Sequence, residues 1–545
     1  MDRRGVSPRP PQTPDLRYDS FVPTFHVENF GCRATQADGA ALERQFESRG
    51  LARVDAAQAD VVVLNTCTVT NSADQDARAA IRRVQRQNPS AKIIVTGCYA
   101  QRAPEEIAAL PGVTAVIGNS HKHRLAEIAL PILSDLAQRK ASLGSRSTSS
   151  AAIDSANLTA ASAAEVDRQQ TRRAFLPISA LTENRELRTE NWIFVSDIFA
   201  HTELLAAPVF ESGSHLSDRT RPNLKVQDGC DNRCSFCVIP SVRGHSRSLP
   251  LPQIIREMNA LVEAGYREVV ISGINLGRWG RDLAVGLRAS DLSNESPNEA
   301  CRMKSEVRRL TLHFVDLIRA ILSETQLEKL RISSVEPMDW SDDLIALVAS
   351  SPRIARHAHV PLQSGSDAVL RRMHRKYRPW HYREKIEKIR AAIPTAAIGA
   401  DVMAGFPGET DAEFESTRRL IEDLPLTYLH VFTYSARPGT PAAAMPNQVP
   451  VHVARERNRI LRDLGAEKKL AFMKSFIGKQ LDAITLSAVH NGPGGEFTEA
   501  ITDNYQKLYL KGHHLPNRWI TAHIEGPDNG VLVGTAFLDR SLPLS

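Results

Sequence analysis

The sequence predicts an α/β protein in three parts: an open parallel sheet, a partial (β/α)6 barrel and a small antiparallel β-barrel. Three observations predict it. Short apolar, β-branched runs alternate with helical stretches between about residues 23 and 140. The same alternation returns between about 221 and 465. Beyond about 466 the helical period gives way to alternating runs separated by NG, PGG and DNG turns. A length of 545 residues calls for two to four domains. A composition of 42% hydrophobic and 24% charged residues is that of a globular protein. The net charge of +6 permits a nucleic-acid partner without proving one. No apolar run approaches the roughly 18 residues of a membrane span. The first 22 residues are basic and proline-rich with no apolar h-region, which predicts a disordered tail, no secretory signal and a cytoplasmic location.

In the first part, 23–140, FHVENF (25–30), VVVLNTC (61–67), KIIVTGC (92–98) and TAVIG (114–118) read as strands. DGAALERQFESRG (38–50) and SADQDARAAIRRVQRQN (72–88) read as the intervening helices. This is a flavodoxin-like pattern, whose functional edge lies beyond the carboxyl ends of the strands. Residues 141–220 form a low-complexity linker or insertion. Its Ser/Ala-rich start, 141–170, buries too little surface to offset its ordering entropy, and NWIFVSDIF (191–199) is left unplaced. In the second part, 221–465, the strands are the run leading into Cys230, then VVISGI (269–274), LRISSVE (330–336), HAHVPL (357–362), AIGADVMAGF (397–406) and YLHVFTYS (428–435). Six βα units suit a partial barrel with its chemistry on the loops after the strands. A polar insertion at about 284–308 interrupts it. The third part, 466–545, reads as the small barrel.

Six of the seven cysteines fall into two groups of three, and Cys301 is left over in the polar insertion. In a long chain without an export signal, metal binding explains cysteine better than disulfides do. Cys230, Cys234 and Cys237 stand in CxxxCxxC spacing with no fourth cysteine nearby. Structural zinc takes four ligands, whereas three thiolates on a four-iron cluster leave one iron open to a small molecule. Cys32, Cys67 and Cys98 each end a predicted strand, about thirty residues apart, so the fold itself gathers three thiols on one sheet edge. One such cysteine is ordinarily core filling; three in one register point to a second cluster.

The flanking motifs are NFGCRATQADGAAL (29–42), NTCTVT (65–70), GCYAQ (97–101), VQDGCDNRCSFCVIPSVRGHSRS (226–248), SGINLG (272–277), PLQSGSDAVLRRMHRKYRPWHY (361–382), GADVMAGFPGETDAEFEST (399–417) and FTYSARPGTPAA (432–443). In this order they resemble the methylthiotransferase family of radical S-adenosylmethionine (radical SAM) enzymes, over roughly residues 24–135 and 221–540. The sequence around and after Cys230 is most similar to the branch acting on N6-threonylcarbamoyladenosine of tRNA. The resemblance implies a methylthiotransferase domain, a radical SAM barrel and a C-terminal TRAM-like RNA-binding domain. It implies two four-iron–four-sulfur clusters, the SAM-cleaving one on Cys230, Cys234 and Cys237 and an auxiliary one on Cys32, Cys67 and Cys98. It implies SAM as cofactor and transfer of a methylthio group to C2 of the adenine. The implied partners are the tRNA anticodon stem-loop and an electron donor such as flavodoxin or ferredoxin.

Further cofactor candidates are Phe236 beside Cys237, Gly273, Ser334, Glu336, Gln363 in the Gln363-Ser364-Gly365 turn, and Asp401, all at strand ends where caps and turns are also common. Arg243, His245 and Arg247, and the run from Arg371 to Arg378 with Tyr377, Trp380 and Tyr382, read as RNA contacts or as solvated faces. Lys507, Lys511 and Arg518 read as a further RNA grip. The alternatives are a methylthiotransferase acting on isopentenyladenosine or on a ribosomal-protein aspartate, and a non-catalytic metal protein that binds RNA.

Overall fold

The computed structural model describes residues 22–131, 192–201, 204, 221–283, 312–492 and 495–539. The expected tail, the Ser/Ala-rich stretch at 141–170, the polar insertion at 284–308 and Cys301 lie outside the described residues, apart from Val22.

The first sheet contains β1 (Thr24–Asn29), β2 (Ala52–Arg53), β3 (Val61–Thr66), β4 (Lys92–Gly97), β5 (Val113–Gly118) and β6 (Trp192–Phe194), in the order β2-β1-β3-β4-β5-β6. Every pairing in it is parallel. Val61 to Leu64 are fully buried, as a central strand covered on both faces requires. On one face Leu42 and Phe46 of α1 (Arg33–Glu47) pack with Leu125 and Ile128. On the other, Ala77, Ile81 and Val84 of α2 (Asn71–Gln87) pack with Tyr99 and Ile107. Thr70 caps α2 by accepting from the Ala73 N–H at 3.2 Å. The segment NWIFVSDIF supplies β6, which extends the sheet beyond β5.

The second part begins with β7 (Asn223–Asp228), β8 (Arg247–Ser248), β9 (Glu268–Gly273) and β10 (Lys329–Ile332), ordered β10-β9-β7-β8. It continues with β11 (His357–His359), β12 (Ala397–Ala404) and β13 (Tyr428–Thr433). Parallel bridges Leu330–Ile354 and Ser334–His359 join the two sheets into one open curve. Its core contains Trp279, Trp340, Leu330, Val360 and Phe406. The helix Val451–Lys474 packs against β13 and β12 and runs on to β17. It is continuous across 465/466, so the expected domain boundary falls inside a helix.

The third part closes as a five-stranded barrel of β14 (Gln480–Gly492), β15 (Gly495–Thr502), β16 (Lys507–Lys511), β17 (Trp519–Asp528) and β18 (Val531–Asp539), ordered β14-β15-β16-β18-β17. The β16–β18 pair is parallel and the others are antiparallel. An odd number of strands cannot alternate direction around a closed ring, so an all-antiparallel barrel of this size is ruled out.

Candidate active site

Strands β1, β3 and β4 are neighbours, and each ends in a cysteine of the first group. Cys32 is the N-cap residue of α1 and Cys67 follows β3 directly. Cys98 starts the short helix Cys98–Arg102 after β4. Gly31, at φ +108°, brings the Cys32 loop over Cys67; a Cβ at Gly31 would lie 2.5 Å from the Cys67 Cβ. Only glycine meets both conditions. Cys67 and Cys98 are buried and Cys32 is exposed. Burial, with Cys98 and Cys32 adding to it, pushes the Cys67 thiol up to about 12. Joint ionisation of these thiols needs a compensating cation.

That charge is present. Asp38 of α1 accepts from Lys122 at 3.1 Å and from Arg243 at 3.0 Å, and pairs with Lys225 of β7. Asp228 binds Lys225 at 2.9 Å and Arg243 at 3.0 Å. Three buried cations against two carboxylates leave one positive charge, and Arg243 acts electrostatically on Cys98 and Cys32. The network also ties the first part of the chain to the second. A second tie runs from Arg437 to Asp74 at 2.5 Å and to Thr68 at 2.7 Å.

Cys230, Cys234 and Cys237 lie on the loop after β7. The Ser235 N–H donates to Met373 O at 3.1 Å, and Ser235 O accepts from Ala442 N at 2.9 Å, which anchors the middle of this loop. The Asn232 N–H lies 3.4 Å and Asn275 Nδ2 3.5 Å from the Cys230 sulfur. Arg375 Nη1 lies 3.2 Å from the Cys234 sulfur, and the same guanidinium pairs with Glu336. Burial, with Cys234 and Cys230 adding to it, pushes the Cys237 thiol up to about 12 despite a hydrogen bond from the Ile239 backbone.

A cavity of about 630 Å³ is lined by Cys32 on one side and by Cys230, Cys234 and Cys237 on another. The volume suits a cofactor together with part of a substrate. Phe236, Gly273, Ser334, Glu336, Gln363 and Asp401 all line it. Cys67 and Cys98 do not. The polar atoms Ser272 Oγ, Asn275 Oδ1 and Gln363 Oε1 of lining residues are buried without a hydrogen-bond partner among the described residues. Such atoms are placed for a polar ligand. Two candidates have other structural duties. A Cβ at Gly273 would meet Gln227 at 2.9 Å, and Gly365 packs on Thr417, so neither glycine owes its identity to a ligand alone.

Cys230, Cys234 and Cys237 bring three thiols to the cavity, and three thiolates suit a four-iron cluster, which they would hold with one iron left open.

Several further residues line the cavity: Arg33, within the motif around Cys32, and Arg331, His357, His359, Tyr428, His430 and Tyr505, which lie outside the motifs. Their one signal is the alternation of histidines in β11 and β13, which puts His357, His359 and His430 on the inner face. Burial, then Arg331, His359 and Arg33, holds His357 well below its ordinary pKa and hence neutral. His359 Nε2 stands 3.3 Å from Asp401 Oδ1.

The basic stretches differ from expectation. Arg243 is 2% exposed and held by Asp38 and Asp228, so it is not an RNA contact. Arg375 is 7% exposed, and Tyr377 and Tyr382 are core residues. Arg372 pairs with Glu413 at 2.8 Å, and Arg371 and Arg378 pair with Asp367 at 2.9 and 3.2 Å. His374, Lys376 and Trp380 remain exposed. In the small barrel Lys507 pairs with Glu499 at 2.5 Å and Lys511 with Glu525 at 2.6 Å. A sequence shows the cations in a run but not the carboxylates that fold onto them.

Arg375→Ala removes a donor to the Cys234 sulfur and leaves Glu336 unpaired. SAM cleavage, measured as 5′-deoxyadenosine release, is expected to fall by about 10- to 100-fold, the usual effect of losing a partner that orients a metal ligand. An unchanged rate would remove Arg375 from the site.

Comparison with known proteins agrees with this geometry. Residues 24–118 match the model of Uncharacterized protein family UPF0004, and residues 224–421 match the radical SAM superfamily. The chain is 33% identical over 490 residues to the threonylcarbamoyladenosine tRNA methylthiotransferase MtaB of Bacillus subtilis, covering 90% of each. It is 34% identical to the MtaB of Rickettsia prowazekii, over 84% of this chain and 86% of that one. It is 32% identical to a tRNA-2-methylthio-N(6)-dimethylallyladenosine synthase of Novosphingobium aromaticivorans, over 85% of this chain and 86% of that one. With the CxxxCxxC cysteines and Cys32 of the other group lining one cavity, and this similarity along nearly its whole length, the chain belongs to the radical SAM methylthiotransferases, on the MtaB-like side of that family.

Proposed function

We propose that the enzyme transfers a methylthio group to C2 of N6-threonylcarbamoyladenosine beside the anticodon of tRNA. One observation carries the reading: a single cavity has the CxxxCxxC loop on one wall and Cys32 on another. Cys230, Cys234 and Cys237 would hold the cluster that cleaves SAM reductively, and Cys32, Cys67 and Cys98 the auxiliary cluster from which the sulfur is delivered. The C–H bond at C2 is unactivated, so a cofactor performs the difficult chemistry and the protein supplies geometry.

The chain's own residues have definite tasks in this reading. Asn275 and the Asn232 N–H steady the Cys230 sulfur, and Arg375 steadies that of Cys234. Ser272, Asn275 and Gln363 offer unpartnered polar atoms to the bound cofactor. Ser334, Glu336, Asp401, Gly273 and Phe236 frame the SAM position. The partners are the tRNA anticodon stem-loop, gripped in part by the C-terminal barrel, and a one-electron donor of the flavodoxin or ferredoxin class. The cytoplasm is the setting for both; no helix among the described residues is long and apolar enough to cross a membrane.

Mass analysis of tRNA nucleosides from cells lacking the protein tests the proposal. The 2-methylthio derivative of threonylcarbamoyladenosine is expected to vanish while the unmethylthiolated nucleoside accumulates. The similarity to the Novosphingobium synthase supports a second reading, in which the isopentenyl-type adenosine derivative vanishes instead.

A further inference from the structure

The cavity is lined by residues from all three parts of the chain, and one of its arginines has no carboxylate partner among the described residues. Arg331 of β10 binds Glu268 at 2.6 Å and the carbonyls of Asp503 and Thr502 at 3.1 and 3.3 Å. Its positive charge is matched. Of the two carboxylates lining the cavity, Glu336 pairs with Arg375, and Asp401 has His359 Nε2 at 3.3 Å without a hydrogen bond between them. Arg33 is different. Its Nη2 donates to the Tyr505 hydroxyl at 3.0 Å, and among the described residues no carboxylate pairs with it.

Tyr505 is built for this contact. It lies in the turn between β15 and β16 at φ +67°, a left-handed conformation that an aromatic residue rarely adopts. That turn places its ring 4.7 Å from His357 and 6.2 Å from Tyr428, centroid to centroid, inside the cavity. Arg33 is exposed, and the one phenol hydrogen bond leaves its guanidinium further N–H donors, enough for a bidentate contact with a carboxylate.

The threonylcarbamoyl substituent ends in a carboxylate, and an isopentenyl substituent carries none. Both hang from the six-membered ring whose C2 receives the sulfur, so the substituent must lie in this cavity. We propose that Arg33, held by Tyr505, is the residue that selects an adenine substituent bearing a carboxylate. The inference rests on the substrate reading above and names the group that enforces it.

The test uses the reconstituted full-length enzyme and three anticodon stem-loop RNAs: threonylcarbamoyladenosine, its neutral threonine-amide analogue, and isopentenyladenosine. Wild-type enzyme is expected to favour the carboxylate over the amide by about 10- to 100-fold in kcat/KM, mostly through KM, the range for a hydrogen bond to a charged group. Arg33→Gln is expected to bring that ratio close to one, and Arg33→Lys to restore part of it. Tyr505→Phe, which keeps the ring, is expected to lower the ratio in the same direction. Arg33→Gln slowing both threonyl RNAs equally would overturn the assignment, because a phosphate contact or a structural role behaves that way. A wild-type ratio of one would overturn it too. If Arg33→Gln fails to fold, a ratio unmoved by Tyr505→Phe decides against it. Wild-type turnover of the isopentenyl RNA alone would instead refute the substrate reading itself.

Discussion

Cys67→Ala enzyme, reconstituted with iron and sulfide, is expected to release 5′-deoxyadenosine from SAM and to make no methylthio product. Cys234→Ala is expected to fail at both. The asymmetry follows from where the thiols stand. Cys67 belongs to the sheet edge of the first part, packed against Gly31, and does not line the cavity. Cys234 carries the Arg375 contact and is on the cavity wall itself. Iron and acid-labile sulfide are expected to fall by about half in either variant, because in the proposed assignment each group of three would hold one cluster. Removing one buried sulfur is a small packing change, so the Cys67→Ala protein should fold with only a modest loss of stability. Full methylthio product from Cys67→Ala would refute the two-cluster assignment. Loss of 5′-deoxyadenosine release from a folded Cys67→Ala protein would refute the separation of the two sites.

Most of the architecture that matters here is written locally. The two parallel sheets follow from apolar runs at βα spacing, and the cysteines follow from strand ends, because a parallel strand delivers its carboxyl end to the same edge as its neighbours. The six cysteines and four of the six cofactor candidates are legible because each sits in a short motif, and Ser334 and Glu336 because they end a predicted strand. Arg33, His357 and Tyr505 could not be grouped in the same way. They come from three parts of the chain, and the Arg33–Tyr505 bond spans 472 residues. The burial of Arg243 is hidden in the sequence for the same reason. Its basic neighbours in sequence suggest an exposed loop, while the carboxylate that buries it, Asp38, lies 205 positions away. The parallel pair in the small barrel likewise depends on ring closure, which no local pattern encodes.

Asp38→Ala is expected to destabilise the protein by about 3–5 kcal/mol, the scale for breaking a buried charge network by removing one partner. Lys122, Lys225 and Arg243 would then face Asp228 alone, three fully buried cations against one carboxylate. Desolvation is the largest influence on the Asp38 carboxyl and raises its pKa, but Lys122, Lys225 and Arg243 together outweigh it and bring the value down to about 2. The folded pKa is therefore below the unfolded one. On acidification the unfolded chain takes up the proton first, so the stability owed to Asp38 is complete above about pH 5 and drains away as the pH falls toward 2. Wild-type protein should show that loss in thermal melts across the window, and Asp38→Ala should show a shallower acid limb from a lower starting melting temperature. Glu415 offers the contrast. It pairs with Arg418 and Arg419 at 2.8 Å on an open helix face, and Glu415→Ala should leave the melting temperature within error. Arg243→Ala should resemble Asp38→Ala in stability, with no change in the salt dependence of RNA binding, which separates a buried structural cation from a phosphate contact. Equal melting temperatures for wild type and Asp38→Ala would show that the first part of the chain is held to the barrel by other contacts, such as Arg437 with Asp74, and that the charge network serves the cysteines alone.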